Sequence, residues 1–252
     1  MGSWMKKNGK TLLFFALVGL VGGYLVGLYA MDSYPADIQQ QILAQGIDRN
    51  MLGVISAAQS MGYGLVLGAL GIILAEKIGL WKGEKHLARS PLAAAFAVSV
   101  TGGVVMILSD LLFFARYSQA IADSYLAKPT AVFVLGSILY GAVIEEVMLR
   151  LFMMSLIAFV LHLCMGRRKQ PVSEGVLMAA NVLSAALFAA GHLPMTSVVL
   201  GITPMILFRC FLLNGGIGLL FGWLYRKYGL RYAMIAHGGC HVVSKLIWLL
   251  FV

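Results

Sequence analysis

The chain has 252 residues, of which 60% are hydrophobic and only 12% are charged. Soluble domains carry about 25% charged residues, so this composition excludes a soluble globular protein and predicts one that crosses a membrane several times. The formal net charge of +9 does not indicate a nucleic-acid partner, because membrane topology accounts for the positions of the basic residues.

Seven apolar runs are long enough to be transmembrane helices, given that about 20 residues span a bilayer. They cover residues 11–30, 51–75, 91–115, 131–164, 175–192, 204–225 and 232–252. The predicted fold is therefore an all-α bundle of about seven transmembrane helices, forming one domain over residues 1–252. The first four residues, which precede Met5, are interpreted as an expression scar.

The basic residues alternate between the predicted loops. If the N-terminus is cytoplasmic, the inner segments hold far more Lys and Arg than the outer segments, as membrane topology requires. The inner set is Lys6, Lys7, Lys10, Lys77, Lys82, Lys85, Arg89, Arg167, Arg168, Lys169, Arg226, Lys227 and Arg231, and the outer set is Arg49, Arg116 and Lys128. The pattern predicts an integral protein of a bacterial cytoplasmic membrane, in contact with membrane lipid, with its N-terminus inside and its C-terminus outside.

Three charged residues lie in the middle of the fourth apolar run. An ionised group at mid-membrane costs at least ~2.5–3.5 kcal/mol, so such residues indicate function. Glu146 and Arg150 are four residues apart with the acid first, which is the favoured order for a helical ion pair. Glu145 is turned about 100° away on the helix. We therefore expect Glu146 and Arg150 to neutralise each other while Glu145 faces a site.

Histidines mark two further apolar runs. His192 ends the fifth run, and His237 and His241 share one face of the seventh, a spacing that suits two ligands of one metal or two donors converging on one oxygen. The alternative interpretation is that His192 is simply a helix-end residue and that His237 and His241 are a pair of core histidines bonded to neighbouring helices. Against it, polar groups are costly to keep in lipid. Asn181 is a weaker candidate on the face of His192, and Lys245 is interpreted as snorkelling outwards.

A glutamate on one helix, a histidine on a second and two histidines on a third can together hydrolyse a bond. The carboxylate acts as a general base on water, and the imidazoles share its proton or stabilise an oxyanion. Straight, upright helices place Glu145 and His192 about 27–31 Å above the inner loops but His237 only about 9 Å above them. We therefore expect a feature that brings these residues to one level: tilt in the fourth run, a projecting inner loop or a recessed turn at 226–231. If the glutamate and the histidines were far apart in the structure, a hydrolase would be excluded.

Three motifs together resemble the CPBP family of intramembrane glutamic proteases. That family contains CAAX proteases of the type II prenyl endopeptidase kind, bacteriocin-processing enzymes and abortive-infection proteins. The resemblance covers roughly the last half of the chain, residues 131–252, as a catalytic core. The motifs, in chain order, are Glu145-Glu146-x-x-x-Arg150, Phe188-x-x-x-His192 and His237-x-x-x-His241.

The resemblance implies a membrane-embedded endopeptidase and assigns a role to each matching residue. Glu145 is expected to activate the hydrolytic water with help from His192, and His237 to stabilise the oxyanion. Glu146 and Arg150 are expected to support the helix and the pocket. The implied substrate is a hydrophobic peptide, a lipidated peptide or a leader peptide, cleaved from the cytoplasmic side without a cofactor.

Two positions depart from the family pattern. His241 stands where the family usually has asparagine, and Leu151 where it usually has glycine. An imidazole can donate a hydrogen bond as asparagine does, so an oxyanion role for His241 survives. However, Glu145, His192, His237 and His241 also make a credible zinc site with an open position, which is the alternative to a metal-free mechanism.

Two other classes of function are also compatible with the sequence. One is a non-catalytic protein that binds a membrane peptide, such as a bacteriocin-immunity protein, although a pure binder has no need of an unpaired Glu145. The other is a transporter or proton relay, for which buried Glu and His are also typical. Neither an internal repeat nor a pair of broken helices supports the transporter.

Overall fold

A computed structural model describes residues 2–81, 87–166 and 170–252. Within these ranges the chain is helical and has no strand. The helices are α1 (Gly2–Ser33), α2 (Ala36–Ala44), α3 (Arg49–Lys77), α4 (Arg89–Leu112), α5 (Gln119–Ser124), α6 (Ala131–Cys164), α7 (Glu174–Gly191), α8 (Leu193–Val199), α9 (Pro204–Tyr228) and α10 (Leu230–Phe251).

The helices α1, α3, α4, α6, α7, α9 and α10 give seven segments that are long and apolar enough to cross a membrane. The prediction of an all-α bundle with about seven transmembrane helices is confirmed. Residues 2–4, interpreted as a scar, continue α1, and the indole of Trp4 donates a hydrogen bond to Glu76 at 3.1 Å.

Contacts between helix termini define the two ends of the bundle. At one end the start of α1 meets the end of α3 through Lys7 and Glu76, 2.8 Å apart. The end of α9 meets the start of α7 there through an ion pair between Arg226 and Glu174. We call this the basic end, because the inner set of Lys and Arg flanks it. Five members of that set lie outside the described residues: Lys82, Lys85, Arg167, Arg168 and Lys169.

The opposite end carries the connections over residues 34–48, 117–130 and 200–203. There Asp32 at the end of α1 pairs with Arg49 at the start of α3 at 2.7 Å. The Lys128 ammonium donates to the carbonyl of Leu249, near the end of α10, at 3.2 Å. Successive long helices therefore run in alternate directions between the two ends, as the topology prediction requires.

Glycines let α1 and α3 approach closely. A Cβ on Gly27 would lie 2.6 Å from the carbonyl oxygen of Leu52, so no larger residue fits without moving the helices apart. Small faces of this kind drive helix association in lipid, where water no longer favours apolar contact. The glycine face of α1 is therefore a packing surface against α3.

The long helix α6 contains two stretches of π-helix, Tyr140–Glu145 and Val147–Met154. Two more lie in α3, Tyr63–Leu67, and in α9, Phe211–Gly216. A π turn closes i to i+5 hydrogen bonds, so it holds an extra residue and turns the following side chains relative to a regular α-helix. Such turns are rare and cluster at functional sites. Here one of them carries Glu145.

A tightly packed layer, which we call the inner core, fills the bundle between Glu145 and the basic end. It comprises Val147, Leu151, Met154, Leu224 and Tyr225, none of which has any exposed surface. Leu151, at the position where the family usually has glycine, belongs to this layer. The inner core joins α6 to α9 on the side of Glu145 that faces the basic end.

A partly buried ion pair joins α4 to α9 near the opposite end of the bundle. The guanidinium of Arg209 on α9 donates to both carboxylate oxygens of Asp110 on α4, at 2.5 and 2.6 Å. The Tyr125 hydroxyl donates to the same carboxylate at 2.8 Å. Burial and the adjacent Asp110 raise the pKa of Tyr125 above its ordinary value, so this phenol stays a donor.

Removing one partner of this pair is expected to destabilise the fold. Asp110→Ala leaves the partly buried Arg209 charge without its carboxylate partner, a change that should cost more than the roughly 1 kcal/mol lost at exposed pairs. The melting temperature in detergent should fall, and Asp110→Leu with Arg209→Met should recover most of the loss. The matched control is Asp32→Ala at the exposed pair with Arg49, which should change stability by less than about 1 kcal/mol. Equal losses in both variants would contradict this account.

Candidate active site

The buried pair of Glu146 and Arg150 lies behind the site. Glu146 is 0% exposed and Arg150 is 1% exposed. A guanidinium nitrogen of Arg150 lies 3.0 Å from Oε1 of Glu146, and another donates to the carbonyl of Gly218 on α9 at 3.0 Å. The ion pair expected from the i, i+4 spacing is present, and it links α6 to α9.

Aromatic rings enclose the Arg150 guanidinium. Its central carbon lies 4.6 Å from the ring centre of Phe188 and 5.3 Å from that of Phe221. Cations near aromatic faces are stabilised most when water is excluded. The rings therefore compensate in part for the hydration that Arg150 gives up in the bundle interior.

Glu146 also orients a histidine. Its Oε1 accepts a hydrogen bond from Nδ1 of His237 at 2.8 Å, while the His237 ring stacks on Phe221 with centres 4.5 Å apart. With its Nδ1 bonded to a carboxylate, His237 presents Nε2 to the other side. Glu146 is thus occupied by two partners, which leaves Glu145 as the acid at the cavity.

Glu145 lies between two histidines from other helices. Its Oε2 is 3.6 Å from Nε2 of His237 on α10, and its Oε1 is 3.9 Å from Nε2 of His192 at the end of α7. These distances are too long for good direct hydrogen bonds. The structure nevertheless brings the three groups together. A hydrolase would have been excluded if they were far apart, and they are not.

The hydrogen bond of His192 defines its tautomer. Nδ1 lies 2.8 Å from the carbonyl oxygen of Phe188, which can only accept, so Nδ1 carries the proton. The Nε2 atom of the neutral ring then presents a lone pair towards Glu145. Two hydrogen-bond acceptors, the Glu145 carboxylate and His192 Nε2, therefore face the same space.

His241 carries its ring proton on the other nitrogen from His192. Its Nδ1 lies 3.2 Å from the ammonium of Lys245, which can only donate, so the ring proton sits on Nε2. A Cβ on Gly141 would lie 2.7 Å from that Nε2, so the glycine leaves the atom accessible. Lys245 itself is only 8% exposed, with its ammonium 4.5 Å from the ring centre of Phe133. Its interpretation as a snorkelling side chain was wrong.

The four candidate residues line one cavity of about 310 Å³. Glu145, His192, His237 and His241 form its polar part, and most of the remaining wall is apolar. Asn214 on α9 also reaches the cavity, although the sequence analysis did not propose it. The only signal that marks Asn214 is its position as an amide inside an apolar span.

Asn181 does not belong to the site. Its side-chain amide donates to the carbonyl of Leu219 at 3.0 Å, and the residue does not line the cavity. The helical period placed Asn181 on the face of His192 correctly. However, eleven residues correspond to about 16 Å along a helix axis, so Asn181 lies too far towards the basic end.

The four candidates do not fit a zinc centre. No group of three or more His, Cys, Asp or Glu side chains within residues 2–81, 87–166 and 170–252 is placed to hold a metal ion. In addition, the Lys245 ammonium occupies Nδ1 of His241, and a cation at that distance opposes a second cation on the same ring. The alternative in which Glu145, His192 and the two α10 histidines bind zinc is therefore not supported.

Comparison with known families agrees with this geometry. The family model described as Type II CAAX prenyl endopeptidase Rce1-like matches residues 127–243. This segment of the chain is Rce1-like. The match confirms the resemblance to the CAAX protease family, and all seven residues that carry the three motifs lie within the Rce1-like segment. No curated protein and no solved structure matches the chain.

The buried ion pair of the Rce1-like segment gives a stability prediction. Arg150→Ala removes the cation that neutralises Glu146 and also the donor to Gly218, so the buried carboxylate keeps only its hydrogen bond from His237. We expect a loss of about 3–5 kcal/mol, seen as a lower melting temperature in detergent.

A double variant separates charge from packing. Glu146→Gln with Arg150→Met removes both charges while keeping side chains of similar length, and it should be more stable than Arg150→Ala alone. An unchanged melting temperature in Arg150→Ala would contradict the structural role of the pair.

Proposed function

We propose that the protein is a membrane-embedded endopeptidase that hydrolyses a peptide bond with a water molecule activated by Glu145. The observation that carries this proposal is the convergence of Glu145, His192 and His237 from three helices on one cavity. The neighbouring Glu146 is already bonded to two partners. The match of residues 127–243 to a family model of prenyl endopeptidases supports the same reaction class.

The two acceptors beside the cavity suit a water nucleophile. A water molecule has two protons, and it donates one to the Glu145 carboxylate and one to Nε2 of His192. This leaves an oxygen lone pair for attack on the scissile carbonyl carbon. As the new C–O bond forms, Glu145 takes a proton from the water, and it later delivers that proton to the leaving amine.

The two donors suit the oxyanion that forms at the same time. His241 donates from Nε2, because Lys245 holds its other nitrogen as an acceptor. His237, whose Nδ1 donates to Glu146, donates from Nε2 as well only while both of its ring nitrogens carry protons. Preorganised donors of this kind, shielded from water, are worth about 3–4 kcal/mol each in related hydrolases.

The expected substrate is a hydrophobic peptide, with or without a lipid group. Beyond its polar part, the cavity is lined mainly by apolar side chains, so it favours apolar residues around the scissile bond. In the proposed reaction, side chains alone activate the water and stabilise the oxyanion.

Glu145→Gln tests the assigned base. The amide keeps the size of the side chain but cannot accept the proton of water, so cleavage should fall by about 100-fold or more. The assay uses two synthetic peptides in detergent micelles, one with a farnesylated cysteine followed by three residues and one without the lipid, with products identified by mass spectrometry.

The melting temperature of Glu145→Gln should match that of the wild type, because the residue is not part of the buried ion pair. Full activity in this variant would remove Glu145 as the base. If the wild type binds either peptide but cleaves neither, the chain acts as a membrane peptide-binding protein instead.

Substitutions at His241 and at Lys245 test the role of His241 as a hydrogen-bond donor. His241→Asn retains a hydrogen-bond donor and should keep more activity than His241→Ala. Lys245→Met removes the group that holds the tautomer and should lower kcat about tenfold, equivalent to about 1.4 kcal/mol, with little change in KM. Lys245→Arg should restore part of the rate. Identical rates for His241→Asn and His241→Ala would exclude this role.

A further inference from the structure

The cavity lies in one half of the bundle. On α1 it is lined by Val26, Tyr29 and Ala30, which are among the last eight residues of the helix. On α6 it is lined only between Phe133 and Glu145, and on α8 by Met195. Each of these positions lies between the level of Glu145 and the end of the bundle opposite the basic end.

The way from Glu145 to the basic end is closed. The inner core, defined above, follows Glu145 along α6 and has no exposed surface. Glu146 and Arg150, at 0% and 1% exposure, fill the adjacent space. On α10, Ala233 and Ala236, both 0% exposed, pack below His237.

A separate groove at the basic end does not reach the site. It has a volume of about 710 Å³ and is lined by residues such as Lys7, Trp81 and Arg231. None of the candidate catalytic residues lines it. A peptide lying in this groove is therefore separated from Glu145 by the whole inner core.

Towards the opposite end, the cavity has a partly open wall. Met195, which lines it, is 37% exposed and follows directly on the end of α7. Tyr29 of α1 and Phe133 of α6, whose rings stack with centres 4.3 Å apart, form another part of the wall near this end. The cavity therefore has access from the end that carries few basic residues.

The distribution of charge assigns this end to one side of the membrane. Lys and Arg accumulate in cytoplasmic segments, and the basic end carries most of them. We propose that the cavity is entered from the extracytoplasmic leaflet, so that its substrate is an apolar peptide segment presented there, for example the membrane anchor of an exported polypeptide. The proposed substrate class rests on the proposed function, whereas the proposed side of access to the cavity does not.

This proposal replaces the expectation of cleavage from the cytoplasmic side. The N-terminus lies at the basic end, and the cavity lies on the other side of the inner core. If the N-terminus is cytoplasmic, the cavity therefore cannot be reached from the cytoplasm. A substrate already inserted in or moved across the membrane also satisfies the apolar lining. A soluble cytoplasmic peptide has no route to Glu145.

Site-resolved cysteine labelling tests the side of access without any cleavage. Intact bacterial cells that make the full chain are treated with a sulfonated, membrane-impermeant maleimide, and labelled peptides are mapped by mass spectrometry. Native Cys164, exposed at the basic end, serves as the internal standard in each variant. Leu126→Cys marks the opposite end, where Leu126 is 83% exposed, and Met195→Cys reports on the cavity.

The expected result is labelling of residues 126 and 195 in intact cells, with Cys164 labelled only after the cells are permeabilised. Labelling of Cys164 but not of residue 126 in intact cells would show the reverse orientation and overturn the proposal. Labelling of residue 126 but not of residue 195 would show that the cavity does not open to that side, which also overturns it.

A second arm tests the substrate class. The farnesylated and unlipidated peptides, each joined to a sulfonated tag that cannot cross a bilayer, are added to sealed right-side-out and inside-out vesicles. Cleavage should be at least tenfold faster in right-side-out vesicles, and detergent should abolish the difference. Faster cleavage in inside-out vesicles overturns the proposal. Absence of cleavage in detergent refutes the proposed function, while the labelling result still decides the side of access.

Discussion

The site depends on one buried ion pair. Glu146 and Arg150 are stable in the apolar interior only because each neutralises the other, and every remaining contact of the pair does structural work for the site. Glu146 holds Nδ1 of His237, and Arg150 holds the Gly218 carbonyl between two phenylalanine rings. The pair therefore joins α6, α9 and α10 and determines that Glu145, its neighbour in the chain, is the acid at the cavity.

The polar groups around the cavity divide into acceptors and donors. On one side the Glu145 carboxylate and Nε2 of His192 accept hydrogen bonds, and on the other His241 donates from Nε2. This division arises from contacts outside the cavity, since the Phe188 carbonyl sets one tautomer and the Lys245 ammonium sets the other. Under the proposed function, the Lys245 ammonium selects the donor form of His241, so this ring takes the role that the resemblance assigns to an asparagine.

Much of this arrangement was predictable from the sequence, because it follows from hydropathy and helical period. The sequence predicts the number of spans, the i, i+4 ion pair and the shared face of His237 and His241. It does not predict the depth of a residue in the membrane, because a helical period gives the face of a residue but not its height relative to other helices. Asn181 was misassigned for that reason. The π turns of α6 and the burial of Lys245 were also missed, since neither the hydrogen-bond register nor the tertiary partner of a long side chain is visible in composition.

The helix α1 contributes Val26, Tyr29 and Ala30 to the cavity wall, yet it lies outside the Rce1-like segment of residues 127–243. The residues proposed to perform the chemistry and part of the cavity wall are thus carried by different stretches of the chain. Substitutions in the last turns of α1 are able to reshape the wall without touching the ion pair, the base or the oxyanion donors. Such a division lets substrate preference diverge between relatives during evolution while the reaction itself is conserved.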